Sequence, residues 1–479
     1  MEESVSRRAP PVLTHLALAE LFGFVEGELL RTRCPPSPAD LEALPFEFWG
    51  GWVGYFGCDA ASGAPHGAIP NHRHLTRIRP RSRRYELRAE CGPARMQRRH
   101  ASAAPDAALF FADRLLAADH ATGDAYALAL VRAADTPSCA EFASAAAWLD
   151  TMQSQVAALS AAATPRAPAV APAPAAVWEG EAAAAPPGSF ALRRGREAYV
   201  ADVAAALEAI RAGETYEVCL TTALERAQGG ATPRALYSAL RACNPAPYAA
   251  WLRCGGGVAG DADSLAVCCS SPERFLRLDR AGVLEAKPIK GTAPRVVPHG
   301  CAADVASADA LRASVKDCAE NLMIVDLLRN DLGRVCALGS VHVPALCAIE
   351  SFATVHQLVS TVRGRLAAGV SCVGAVRAAF PGGSMTGAPK VRTMGIIDGL
   401  EPGPRGVYSG ALGFLSVSGT ADLNIVIRTA VVHGGRVTIG AGGAIVALSD
   451  SAAEYDEMRL KARAVLSAVA SADAAACRC

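Results

Sequence analysis

Two pairs of acids have the spacing to do chemistry together. Asp317 and Glu320 stand three residues apart, and so do Glu454 and Glu457. On a helix that spacing puts both side chains on one face. Two such faces brought together concentrate negative charge, which is unfavourable unless a cation lies between them. Ligands that are all oxygen suit magnesium. Taken alone, each pair reads first as a solvated helix face, and Glu454, in a first turn, as a complement to the helix dipole. Lys290 stands in Pro288-Ile-Lys-Gly-Thr-Ala-Pro-Arg295, where the flanking prolines restrict the backbone. An amine taken out of water gives up its proton more readily and can then act as a nucleophile. The commoner state of a lysine is a solvated surface ammonium. Arg428 offers a planar, two-pronged donor for a carboxylate, or one half of a structural ion pair. Gly440-Ala-Gly-Gly-Ala444 reads as a nest of amides for an anion, or as a plain hairpin turn.

The elements that must hold these groups follow from periodicity. One helix is expected over residues 309–328, with Leu311, Val315, Cys318, Leu322 and Val325 as its apolar stripe. A last helix begins at Ser451, where Glu454 completes an S-x-x-E capping box, and buries Met458, Ala462, Val465 and Val469. Val200, Val203, Leu207 and Ile210 mark a helix over residues 197–212, with Gly213 as its stop. Strands are expected over residues 214–222, 266–270, 275–278, 407–417, 421–432 and 436–440, with Arg428 inside the fifth. Earlier in the chain, residues 108–116 read as helix and 126–131 as strand. Residues 48–57 alternate glycine with aromatics, which suggests close backbone packing. The alanine- and proline-rich stretch divides the chain into residues 1–150, a linker or insertion over 151–189, a main domain over 190–470 and a loose tail over 471–479. Strands, helices and hairpins mixed in this way imply an α+β fold.

The bulk numbers exclude several classes of function. A chain of 479 residues, 51% hydrophobic and 19% charged, is ample for a large core. A formal net charge of +1 gives no pull toward a polyanion. The arginines between Arg77 and Arg99 have Tyr85 as the only Phe, Tyr or Trp among them, so they read as solvated surface, not a nucleic-acid site. The 16 cysteines show no CxxC pair with zinc spacing. They read as free thiols in a reducing compartment, either a cytoplasm or a plastid. No apolar run is long enough to span a bilayer, and the first residues lack the apolar core of a signal peptide.

Taken together, these segments resemble the chorismate-utilising enzyme family. The likeness runs in order through Ser271-Pro-Glu-Arg-Phe275, Pro288-Ile-Lys-Gly-Thr292, residues 317–331, Val355-His-Gln-Leu-Val359, residues 380–390, Tyr408-Ser-Gly-Ala-Leu-Gly413, Ile427-Arg-Thr429 and Gly440-Ala-Gly-Gly443. The resemblance implies packed antiparallel sheets flanked by helices, with the active site between them. It implies a magnesium ion bound directly by Glu320 and Glu457, with Asp317 and Glu454 acting through water. It places Arg428, Tyr408 and the amides of Gly442 and Gly443 on the enolpyruvyl carboxylate of chorismate, and Thr292 near the ring. His356 takes a supporting role or a structural one.

Members of the family that make anthranilate typically carry alanine where Lys290 stands, and those that make aminodeoxychorismate by a covalent route carry lysine. The resemblance therefore implies amination of chorismate, with Lys290 as nucleophile and Glu273 as general acid or base. The water-activating lysine of the isochorismate and salicylate branch is matched here by Glu217, which disfavours water as the nucleophile. Ammonia implies a glutaminase, as a partner subunit or a fused domain. Two alternatives stand beside this reading: anthranilate formation, and a non-catalytic segment that binds a glutaminase. The Trp-Gly-Gly stretch follows a shorter lead than in the family, so the N-terminal portion is expected to be shortened.

Overall fold

The computed structural model describes residues 18–32, 44–58, 76–77, 102–131, 139–162, 189–255, 264–352 and 355–477. The arginine run after Arg77 and the alanine- and proline-rich residues 163–188 lie outside them. Two sheets dominate. The first has ten strands, in the order β12 (Ile289–Pro294), β14 (Val355–Arg365), β11 (Val283–Lys287), β10 (Arg274–Leu278), β17 (Ala421–Ile425), β16 (Ala411–Ser416), β1 (Gly51–Phe56), β3 (Ala107–Ala112) and β2 (Thr76–Arg77), with β13 (His342–Ser351) also paired to β14. The second runs β15 (Gly387–Ala388), β7 (Glu217–Ala227), β19 (Arg436–Ile445), β18 (Thr429–His433), β9 (Leu265–Ser271) and β8 (Tyr248–Cys254), with β6 (Ala191–Leu192) on β7. A hairpin of β4 (Arg114–Ala118) and β5 (Ala125–Ala129) stands apart. Every pairing among the described residues is antiparallel.

Alternation along β9 shows how the layers stack. Successive strand side chains point to opposite faces. Ala266 and Cys268 enter one core, beneath the helices of the second sheet. Leu265, Val267 and Cys269 enter another, where they meet Tyr55, Ala108 and Leu412 of the first sheet. That second core is the seam between the sheets. The first sheet's other core is covered by α6 (Val315–Gly333), whose Ile324, Val325, Leu328 and Leu332 pack with Leu276, Leu284 and Val362. The second sheet is covered by α3 (Arg196–Arg211), α4 (Pro233–Cys243) and α9 (Ser451–Ala476). The remaining helices among the described residues are α1 (Leu18–Thr32), α2 (Ala140–Ala162), α5 (Ala302–Arg312), α7 (Cys372–Ala379) and α8 (Lys390–Leu400). The fold is α+β, with packed antiparallel sheets flanked by helices.

Several local expectations are corrected. Residues 108–116 form β3 and part of β4, because β1 and β2 supply strand partners that outweigh the helical preference of an alanine- and leucine-rich run. The expected helix over 309–328 is two, α5 and α6. Ser314 interrupts it as N-cap of α6, accepting from the Asp317 N–H. The expected stripe breaks with it: Val315 is 83% and Leu322 53% exposed, while the buried face is Asn321, Ile324, Val325, Leu328 and Leu332. The cap of α9 is Asp450, accepting from Ala452 N and Ala453 N, and Glu454 is bonded to Ser449 instead. Helix α2 occupies the start of the expected linker, and α9 continues to Ala476, through most of the expected loose tail.

One buried clamp fixes β7, the strand that reaches the seam. Arg405 donates to Cys219 O at 2.7 Å, Met385 O at 2.6 Å and Glu401 Oε2 at 2.8 Å. Glu401 also accepts from the Thr221 N–H and hydroxyl, both at 2.9 Å. Both charged side chains are under 10% exposed. Removing one partner of such a pair leaves a buried, uncompensated charge. Arg405→Ala is expected to lower the unfolding free energy by about 3–5 kcal/mol. Guanidinium unfolding of the two proteins checks this, and a loss within error of zero would contradict the clamp.

Candidate active site

Two of the places where the chain changes sheets lie side by side. It leaves β9 and enters β10 through Pro272 and Glu273, and leaves β17 and enters β18 through Val426, Ile427 and Arg428. Ile425 N–H donates to Glu273 O at 3.0 Å and Ser270 N–H to Arg428 O at 3.2 Å, so the two crossings brace each other. The single strand expected over 421–432 is thus two strands in different sheets. Arg428 sits at the turn between them with φ 52°. Its guanidinium is buried and makes no ion pair with a carboxylate among the described residues. Burial lowers its pKa, the cost of a cation whose charge lacks a close counterion.

Lys290, on β12 of the first sheet, reaches across the seam. Its Nζ donates to Glu217 Oε1, at the start of β7 in the second sheet, at 2.7 Å. The lysine side chain is 10% exposed and the glutamate 0%. Burial works against the charge on Lys290, but the Glu217 carboxylate and its hydrogen bond outweigh burial, with help from Glu320. The amine is held well above its usual range. This corrects the expectation of a neutral amine: desolvation is present, yet a carboxylate in contact reverses its effect. Glu217 Oε2 is buried with no hydrogen-bond partner among the described residues. Next to the lysine, Gly291 has φ 82°, and a Cβ there would lie 2.8 Å from Asp317 Cγ, so the backbone is pressed onto α6.

Glu273 faces the same space. Burial pushes its carboxyl up to about 7, against a hydrogen bond from Ser384 and the charges of Lys290 and Arg428. It is therefore divided between acid and base near neutrality. Tyr408 is buried, and burial pushes its phenol well up, so it stays a donor. A Cβ at Gly440 would overlap the Tyr408 ring, so glycine there makes room for it. Gly440 to Gly443 lie inside β19, in register with β7, and not in a nest. β18 pairs with β19 only as far as Ile439. Beyond it, this edge of β19 has no strand partner among the described residues, so alternate amides are left to point away from β7.

The acids arrive from both helices. Glu320 is half-buried, and burial raises its carboxyl, against Lys290 and Lys316. Glu457 is 45% exposed, and Lys461 (2.6 Å away), Lys316 and Lys290 outweigh its partial burial and hold it low. Glu320 and Glu457 therefore share Lys316 and Lys290 as neighbours. Glu454 is buried and raised by burial, accepts from Ser449 Oγ at 2.6 Å, and has Oε2 3.0 Å from where a Gly443 Cβ would stand. Asp317 Oδ2 accepts from Ser314 Oγ at 2.6 Å. No group of three or more His, Cys, Asp or Glu among the described residues is gathered tightly enough to hold a metal. Magnesium commonly takes only one or two carboxylates, with water and ligand oxygens completing its shell. The oxygen donors of Glu320 and Glu457 fit that pattern, and the raised carboxyl of Glu320 is one that a cation would stabilise.

The pattern of the chorismate binding enzyme family matches residues 82–467. The chain belongs to the chorismate binding enzyme family. Among its relatives is a protein of Oryza sativa subsp. japonica named probable aminodeoxychorismate synthase, chloroplastic. It is 45% identical over 433 residues, covering 89% of this chain and 44% of the relative. Anthranilate synthase component 1 of Streptomyces coelicolor is 39% identical, over 93% of this chain and 78% of its own. The chain spans about half the length of the aminodeoxychorismate synthases from plants and Streptomyces that it matches. The crystal structure of anthranilate synthase component I from Streptococcus pneumoniae shares the fold, with a TM-score of 0.67 at 24% identity over 92% of this chain and 85% of that one.

Two further expected contacts, His356 and Thr292, lie on the neighbouring strands β14 and β12. His356 is buried, with Nδ1 2.7 Å from Ser351 Oγ and Nε2 3.1 Å from Asp304 Oδ1, so both ring nitrogens are engaged within the protein. Asp304 is in turn gripped by Arg295, Val296 N–H and Gly300 N–H. Thr292 is exposed, pairs with Gln357 across β12 and β14, and follows a register shift that starts at Ile289. Sequence reasoning missed three participants. Glu217 as counter-ion of Lys290 joins residues 73 apart in sequence, and no local pattern announces it. Ser384 lies in a quoted motif, but its partner Glu273 is remote in sequence; the Arg405 clamp pairs locally with Glu401, and only its reach to Cys219 O is remote.

The Glu273 carboxyl gives a pH signature of stability. A carboxyl held near 7 in the fold, against about 4.5 when unfolded, contributes stability below 4.5 that is lost as pH rises through 7. Relative to Glu273→Gln, the parent is expected to lose up to about 3 kcal/mol between about pH 4.5 and about pH 8. Paired urea titrations across that range measure it, and parallel curves would contradict the shift.

Proposed function

We propose that this chain performs the chorismate-processing half of aminodeoxychorismate synthesis: chorismate and ammonia give 4-amino-4-deoxychorismate and water. The observation that carries the reading is Lys290, an amine desolvated in the seam beside Glu217, with Glu273 and the unpaired Arg428 facing the same space. Arg428, Tyr408 and the Gly442–Gly443 segment, whose Gly442 amide faces the free edge of β19, hold the enolpyruvyl carboxylate. Lys290 passes one proton to Glu217 along their hydrogen bond and attacks ring carbon two. The ring double bonds shift, the bond from carbon four to oxygen breaks, and Glu273 gives its proton to the departing hydroxyl, which leaves as water. Ammonia then attacks carbon four, the bond to Lys290 breaks, and Glu273 takes back a proton from the new ammonium. Splitting one substitution into two is the gain of covalent catalysis. Glu320 and Glu457 would hold a magnesium ion, with Glu454 and Asp317 behind water, and that ion would neutralise the ring carboxylate.

Ammonia is mostly ammonium at neutral pH and lacks the lone pair needed for attack. A glutaminase partner or fused domain that delivers ammonia is part of the proposal, and the name "component 1" of the Streptomyces coelicolor relative supports a second component. No described helix is long and apolar enough to cross a membrane. A reducing cytoplasm or plastid suits the thirteen described cysteines, none of which is in a disulfide.

With chorismate, magnesium and ammonium, mass spectrometry of the products is expected to show aminodeoxychorismate. Anthranilate with pyruvate would transfer the chain to the other aminating branch. Lys290→Ala is expected to lower the rate by about 100-fold or more while the near-ultraviolet circular dichroism stays that of the parent. An unchanged rate would remove the covalent route. In a magnesium titration, Glu320→Gln is expected to need about tenfold more metal and to bind chorismate more weakly in step. A titration matching the parent's would discard the metal assignment.

A further inference from the structure

Cys318 lies between Asp317 and Glu320 on α6, and Cys347 lies on β13, the strand laid over β14. The Cys347 thiol sits 3.9 Å from the Cys318 carbonyl oxygen and interacts with the Cys318 thiol. Both residues are half-buried, so a small thiol reagent can reach them. The contact is built by the backbone. The register of β13 on β14 shifts between Ala345 and Ala348, and Cys347 within the shift has φ 49°, a left-handed conformation unusual for a side chain of this kind. A bulge of this type re-aims a side chain, here toward α6. Cys268 and Cys269 make the contrast: adjacent in sequence, they point into different cores and do not meet.

The thiol pair is wired to the lysine strand. Cys347 N–H donates to Ser360 Oγ at 2.9 Å. The Ser360 hydroxyl donates to Asn321 Oδ1, on the turn of α6 after Glu320. Asn321 Nδ2 and Ser360 N–H both donate to Pro288 O, at 3.5 and 3.2 Å. Pro288 leads directly into Ile289 and Lys290. A disulfide fixes its two sulfurs about 2.05 Å apart, so closing it ties β13 to the first turn of α6 at one end of this network.

We propose that Cys318 and Cys347 form a reversible disulfide that sets the placement of Lys290. A disulfide reagent, either glutathione disulfide or an oxidised dithiol protein, is the oxidant. One thiol of the pair, as thiolate, attacks it and forms a mixed disulfide, releasing one thiol. The second then displaces the other, so that the two sulfurs of this chain are oxidised and the reagent is reduced to two thiols that carry both protons. Disulfides in reducing compartments are commonly transient and regulatory. The effect on turnover rests on the amination reading, whereas the bond and its effect on the strand do not.

The full chain is equilibrated in glutathione buffers from fully reduced to fully oxidised, alkylated, digested and mapped by mass spectrometry. Hydrogen exchange of the peptide covering residues 288–294 and the amination rate are measured on the same samples. Oxidation is expected to produce the 318–347 linked peptide, to change exchange across 288–294, and to lower the rate by about tenfold or more, restored by dithiothreitol. Cys318→Ser and Cys347→Ser should each keep the reduced rate and lose the response. No linked peptide, or a linked peptide with unchanged exchange, overturns the proposal. Full bond formation with an unchanged rate overturns its regulatory half. A reduced parent that makes no product defeats the amination reading alone, and the linked peptide and the exchange data still decide the disulfide.

Discussion

A single buried ion pair holds the site in its present form. Lys290 belongs to one sheet and Glu217 to the other, and their hydrogen bond joins the two sheets at the site. Pairs of this kind add little net stability, since desolvation offsets most of the attraction. What this one supplies is position and protonation. It fixes a long, flexible side chain in one direction, and it keeps the amine charged until something accepts its proton. An amine with no neighbouring carboxylate would be neutral but free to wander.

The surrounding structure keeps that pair in place from several sides. The two sheet changes at Glu273 and Arg428 lie next to each other because β9, β10, β17 and β18 are ladder neighbours in pairs. Residues at such corners are released from strand pairing, so their side chains are free to serve the space between the layers. The Arg405 clamp anchors β7 from behind, and Gly291 lets β12 lie against α6. The acid-bearing helices come from opposite sheets, and lysines at 316 and 461 separate their charges.

Much of this was legible in the sequence, and the failures have physical causes. The acid pairs were found from helical spacing, and Glu320 and Glu457 do face common cations. The crowded glycines near the start were read as close backbone packing, and a Cβ at Gly51 or Gly54 would indeed strike a neighbouring strand. The alanine-rich run of β3 misled because strand partners outweigh intrinsic preference. The helix over 309–328 misled because a serine inside an apolar period can be a cap, and only tertiary context shows which. The corner at Arg428 was invisible because the apolar residues on either side continue the strand pattern into a different sheet. The charge state of Lys290 was misjudged because burial alone was weighed, and its partner comes from a strand that the local sequence does not name.

The second oxygen of Glu217 carries a consequence of its own. It is an acceptor sealed in the seam with nothing among the described residues to satisfy it. Any molecule entering beside Lys290 must bring a hydrogen to that oxygen or bury it unmet. A guest of the right shape but without a donor there would be turned away more firmly than shape alone could manage. The seam is thus a filter for polarity as well as for size.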